Sequence, residues 1–145
     1  MKRGISKEQI PVLAGLWLPV VIQMGLIFYF SSQPPGSPAL ELFPLPGGIG
    51  HLGGYGLLAL LLYRALNKGF RGWSWRAAGY TFLAAFVYGI TDEIHQSFVP
   101  GRQALLSDLF INAIGIGLAL AAIRFIINGW FYKRGVECSR KISGL

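Results

Sequence analysis

The sequence predicts an all-α integral membrane protein, a bundle of four transmembrane helices with both termini on the cytoplasmic side. Three observations carry that expectation. Charged residues make up 13% of the chain and apolar residues 53%, with a mean hydropathy of +0.51; soluble domains carry roughly 25% charged residues. The apolar residues gather into four runs, at about 10–30, 49–66, 76–97 and 104–127. At 1.5 Å per residue, such runs match or approach the roughly 30 Å of bilayer hydrocarbon. Lysine and arginine are segregated into alternate connections, which is the pattern left by cytoplasmic retention of positive charge.

The N-terminal stretch carries Lys2, Arg3 and Lys7 and leads into the first run. That run exceeds the roughly 7–15 apolar residues of a signal-peptide core, and Ser31-Ser32-Gln33 is not a small-x-small cleavage site, so a retained helix is expected. Pro19 lies inside it, which membrane helices tolerate when neighbours satisfy the freed carbonyl. Gln23 is the one strongly polar side chain at its depth and is expected to hydrogen-bond to another helix. From Ser31 to Gly48 there are five prolines, three glycines and a single charge, Glu41, the composition of an irregular external loop.

The second run is short for a span, acceptable with bilayer thinning or snorkelling flanks. It opens with Gly50-His51-Leu52-Gly53-Gly54-Tyr55, so His51 and Tyr55 share a face, and Gly50 and Gly54 are expected to let a neighbouring helix approach. Arg64, Lys68, Arg71 and Arg76 bracket a loop with Trp73 and Trp75, a cytoplasmic connection with interfacial anchors. Runs three and four are joined by Val99-Pro100-Gly101-Arg102, where proline presets φ and glycine supplies the positive φ of a tight turn. Beyond run four, Trp130 to Arg134 form an aromatic and basic boundary before a short polar tail. No repeat or second domain is visible, so 1–145 reads as a single membrane domain.

The polar residues concentrate in TDEIHQSFVPGRQALLSDLFIN, Thr91 to Asn112, with three of the chain's six acidic residues and one of its two histidines. On the third helix His95 and Gln96 share a face with Asp92, and on the fourth Asp108 shares one with Asn112. The predicted topology brings His51, Asp92, Glu93, Gln96 and Asp108 to one depth at the outer ends of three helices. A carboxylate at the bilayer centre costs roughly 2.5–3.5 kcal/mol on insertion scales, so pairing with Arg102 or a histidine, near interfacial water, is expected. The candidate pocket is therefore His51, Tyr55, Asp92, Glu93, Gln96, Arg102, Asp108 and Asn112, with Tyr55 and Asn112 on its floor and Asn112 orienting the Asp108 carboxylate.

These features bound the function. The net charge of +7 is parcelled out between apolar runs rather than forming a stripe, which excludes a nucleic-acid surface. The lone Cys138 excludes an intramolecular disulfide. Two classes stay open: a binding protein that engages a membrane lipid or lipid-linked intermediate, and an intramembrane enzyme using Asp92, Glu93, His51, His95 and Asp108 for acid–base or metal-assisted chemistry. The ligand types suit a metal, but their spacing matches no strong motif such as HExxH, so neither metal nor cofactor is assigned. No serine or cysteine sits in a nucleophile elbow, and Ser107 has only carboxylates nearby. Four short helices also leave little room for alternating access.

His51 with Tyr55, then Thr91-Asp92-Glu93-Ile94-His95-Gln96, Pro100-Gly101-Arg102, Ser107-Asp108 and Asn112-Ala113-Ile114-Gly115 resemble the VanZ-like family of small bacterial membrane proteins. The resemblance runs from about Pro19 to Gly117 and includes Ser31-Ser32. At Gly50 this chain departs from many relatives, which have a lysine and a bulkier residue ahead of the histidine. The resemblance implies a multi-pass protein of the bacterial cell membrane, and its founding member is associated with low-level resistance to the lipoglycopeptide teicoplanin.

Overall fold

A computed structural model gives the architecture; it describes the backbone of residues 9–42, 47–70 and 72–143, with side chains from 11 to 129 inside those ranges. Every regular element among the described residues is helical: α1 (Gln9–Ser31), α2 (Pro38–Glu41), α3 (Gly47–Leu66), α4 (Trp75–Gln96) and α5 (Leu106–Ser143). Within these, Pro11–Ser31, Gly47–Leu66 and Leu106–Gly129 are long and apolar enough to cross a membrane. The fourth long helix, α4, has 22 residues but is less apolar, because it carries Arg76, Asp92 and Glu93.

The surface confirms what surrounds these helices. Phe125 is 81% exposed, Phe110 70% and Ile126 67%, and large apolar side chains of α1 such as Val21 and Leu18 are also bare. Soluble monomers rarely show contiguous apolar surface on this scale, so these faces meet lipid.

Helix α3 is the hub. It packs most extensively on α5 and also against α1 and α4; α4 in turn rests on α5. Its buried face is Tyr55, Leu58, Ala59, Leu62, Tyr63 and Ala65, an i, i+3, i+4 stripe. The closest approach between helices falls at Gly56 and Gly115 and not at Gly50 or Gly54. A Cβ on Gly115 of α5 would collide with the backbone carbonyl oxygen of Leu52, and one on Gly56 would sit 3.3 Å from the Gly115 oxygen, whereas Gly50 has open space around it and Gly54 meets only Ile27, at 3.8 Å. Small residues permit contact, but helix rotation decides which of them are used. The expected bond from Gln23 is present: its Nε2 donates to the Gly54 carbonyl at 3.1 Å, tying α1 to α3.

The connections follow local chemistry. Ser74 caps α4 by accepting from the Ala77 N–H, and behind it the Tyr63 hydroxyl donates to the Gly72 carbonyl and accepts from the Ser74 N–H. Trp73 and Trp75 lie edge to face at 5.3 Å, with the Arg124 guanidinium 4.6 Å from the Trp75 ring centre, a cation–π contact. At the other end Val99–Arg102 makes the expected reversal, with Gly101 at φ +79° and the Arg102 N–H donating to the Val99 carbonyl at 3.1 Å. The 31–48 loop contains the single turn α2, opened by Pro38. The tail differs from expectation, since α5 runs on as helix to Ser143 for 38 residues, roughly 57 Å at 1.5 Å per residue, and so extends well past a bilayer. The aromatic and basic side chains of 130–134 lie outside the described ones.

Candidate functional site

At one end of the bundle α1 ends, α3 begins, α4 ends and α5 begins, and the polar residues meet there. Adjacent side chains on a helix diverge by about 100°, so the acidic pair Asp92-Glu93 serves two different neighbourhoods. Both side chains are buried, at 3% and 4% exposure.

Asp92 faces α1 and α3. Its Oδ2 accepts from the Ser31 hydroxyl at 2.9 Å, the Tyr55 hydroxyl at 3.2 Å and Gln96 Nε2 at 3.3 Å. Ser31 also accepts from Gln96 at 3.3 Å. Three helices are thus fastened through one carboxylate oxygen, while Asp92 Oδ1 is buried with no hydrogen-bond partner among the described residues. Ser31 was missed as a site residue by sequence reasoning; the available signal was a polar pair, Ser31-Ser32, standing where an apolar run stops.

Glu93 faces α3 and α5. Its Oε2 accepts from the Leu105 backbone N–H at 3.1 Å, satisfying an orphan donor ahead of α5, and Oε1 is buried without a partner among the described residues. Ligand atoms of Glu93, His51 and Asp108 lie within 4.8 Å of one another. His51 Nε2 stands 3.8 Å from Asp108 Oδ2, and on the other side of the ring Nδ1 is 3.1 Å from Asn112 Oδ1. Asn112 is fully buried in space left by Gly89, where a Cβ would come within 3.2 Å of the Asn112 amide nitrogen and 3.3 Å of the Tyr55 ring. His51 and Tyr55 stack as expected for one face, with rings 4° from parallel and 6.3 Å apart.

Three expectations are corrected. Among the described residues Arg102 pairs with no carboxylate; its Nε and Nη2 donate to the Gln33 and Phe30 carbonyls, each at 2.9 Å, at and just beyond the C-terminus of α1. Asn112 holds His51 rather than Asp108, because it reaches across to α3 instead of back along α5. His95 stands apart from His51: it stacks on Phe28 at 4.4 Å, and its Nε2 is 2.9 Å from the Ser32 hydroxyl, so it helps hold the end of α4 to α1. The Ser107 hydroxyl donates to its neighbour Asp108 at 3.4 Å.

The polar end opens into a cavity of about 680 Å³. Its lining combines polar side chains such as His51, Asp92, Gln96, Arg102 and Asp108 with apolar ones, among them Leu26, Ile27, Phe30 and Leu40. Leu26 is also 47% exposed, so the apolar lining continues onto the outer surface of α1.

Helices that bury their polar groups against one another and turn their apolar side chains outward define a multi-pass membrane protein with a polar cluster at one end of its bundle. The VanZ/LLP1 family model matches residues 16–128, which include all four long helices in whole or in part and every residue of the cluster. The chain belongs to the VanZ/LLP1 family. No curated protein and no solved structure matches it.

Proposed function

We propose that the protein sits in the bacterial cell membrane as a single domain of four spans with both termini cytoplasmic, and that its cavity, on the outer side, holds the polar head of a cell-envelope amphiphile such as a lipid-linked intermediate. The cavity carries this reading: about 680 Å³, lined by both polar and apolar side chains, suits a molecule with a head and a tail. Because Leu26 belongs both to the cavity and to the exposed face of α1, a chain can enter sideways from lipid. The Arg102 guanidinium has five N–H donors, and the α1 carbonyls take two. Engagement of such an amphiphile is a route to the teicoplanin tolerance associated with the family's founding member.

Two measurements test the proposal. A phosphatase active only outside the cytoplasm, fused after Gly36, is expected to be active, and the same fusion after Asn67 inactive. The reverse pattern would put the cavity on the wrong side of the membrane. Protein purified from native membranes is expected to carry one lipid class enriched over the bulk extract by mass spectrometry. Leu26→Trp, which places a large ring at the cavity mouth, should return the profile to bulk composition. A wild-type profile identical to the bulk extract removes the binding reading.

A further inference from the structure

We propose that His51, Glu93 and Asp108 form a three-ligand site for a divalent cation of the zinc class, with an open coordination position facing the cavity. The three come from α3, α4 and α5, and their spacing in sequence gives no sign of a metal motif. In the folded chain one imidazole nitrogen and two carboxylate oxygens lie within 4.8 Å of one another. Ligands at about 2.0–2.2 Å from a tetrahedral zinc stand about 3.4 Å apart, and the His51–Asp108 separation is already 3.8 Å, too long for a hydrogen bond but close to that edge.

Two observations independent of this clustering point to a ligand. Glu93 is 96% buried, being 4% exposed; one of its oxygens is anchored by the Leu105 N–H, the other is buried with no hydrogen-bond partner among the described residues, and the carboxylate contributes an oxygen to the triad. A buried carboxylate oxygen ordinarily has a donor or a cation against it. The second is the support of His51. The Asn112 Oδ1 can only accept, so its contact with Nδ1 at 3.1 Å puts the ring proton on Nδ1 and leaves a lone pair on Nε2, the nitrogen 3.8 Å from Asp108 Oδ2. This is how metal-binding histidines are held by their outer neighbours. Asn112 is itself fixed by burial beside Gly89.

Charge supplies the reason such a site suits its surroundings. Two carboxylates this close repel each other in a poorly solvated place. Among the described residues no lysine or arginine lies within ion-pair distance of either one, since Arg102 is turned to the α1 carbonyls. A dication balances both charges. Imidazole with carboxylate is a borderline donor set that favours zinc over magnesium or calcium. His51 and Asp108 line the cavity, so the position left by three protein ligands is open to water or to an oxygen of a bound molecule.

The test uses full-length protein without a histidine tag, stripped with chelator in detergent and equilibrated with Zn²⁺ alone. The expected result is one zinc per chain, with affinity lowered at least tenfold by Asp108→Asn or His51→Gln and about 10–100-fold by Asn112→Ala, the range for an outer-neighbour loss. His95→Gln, which removes the other histidine, should bind as wild type. Co²⁺ in place of zinc should give a visible absorption band in the wild type that Asp108→Asn lacks; this variant is near-isosteric at a partly exposed position, so a folding defect does not obscure the comparison. Sub-stoichiometric uptake by the wild type, unchanged affinity in Asp108→Asn, or an equal loss in His95→Gln would each overturn the site. Zinc uptake with a bulk lipid profile would keep it and remove only the amphiphile reading.

Discussion

Gly115→Ala is expected to lower the stability of the purified protein by about 1–3 kcal/mol, the usual penalty of overpacking a core, and Gly117→Ala to leave it unchanged or slightly raised. Alanine is intrinsically the better helix residue by about 1 kcal/mol, so propensity alone favours both changes. Space decides between them. A Cβ at 115 would overlap the Leu52 backbone carbonyl, which cannot rotate away, whereas nothing lies within 4 Å of the one at 117. Relief requires α3 and α5 to separate, and that contact is the most extensive in the bundle. Thermal unfolding in a mild detergent, followed by helix content, measures the difference. Equal melting of the two variants would show that the helices do not approach at Leu52.

The second large effect is at Asp92, where two substitutions of similar size should behave oppositely. Asp92→Leu leaves the hydroxyls of Ser31 and Tyr55 and the amide of Gln96 without their shared acceptor, at a cost of about 1–3 kcal/mol for each buried unsatisfied donor. The total is several kcal/mol, so low membrane abundance is expected. Asp92→Asn keeps a carbonyl oxygen in the Oδ2 position and places its amide where Oδ1 has no partner, so the fold should persist with one negative charge fewer in the cavity wall. If that wall engages an envelope amphiphile, a teicoplanin-susceptible bacterium protected by the wild-type protein should lose protection with Asp92→Asn at normal abundance. Full protection at normal abundance would leave Asp92 only its structural role of joining three helices.

The amino-acid sequence by itself determined the elements. Apolar runs, three of them long enough to cross a membrane, Pro100-Gly101 between the last two and a solitary Gln23 deep in the first are local facts, and they produced α1, α3, α4 and α5, a turn with Gly101 at φ +79° and a bond from Gln23 to the next helix. The positions of His51, Asp92 and Asp108 near helix ends were legible for the same reason: residue number along a helix translates directly into depth, at 1.5 Å each. Rotation about the helix axis is not a local property. It is fixed where backbones can touch, and that point is Gly115 against Leu52 rather than the glycines at 50 and 54. Once α3 and α5 meet there, Asn112 reaches His51 instead of Asp108, Glu93 joins both of them, and His95 is carried round to Phe28 and Ser32. Arg102, free on paper to choose any of three carboxylates, finds the Phe30 and Gln33 carbonyls at the end of α1, because the 98–103 turn is folded against that end. Helical spacing states which side chains share a face; only packing states what the face meets.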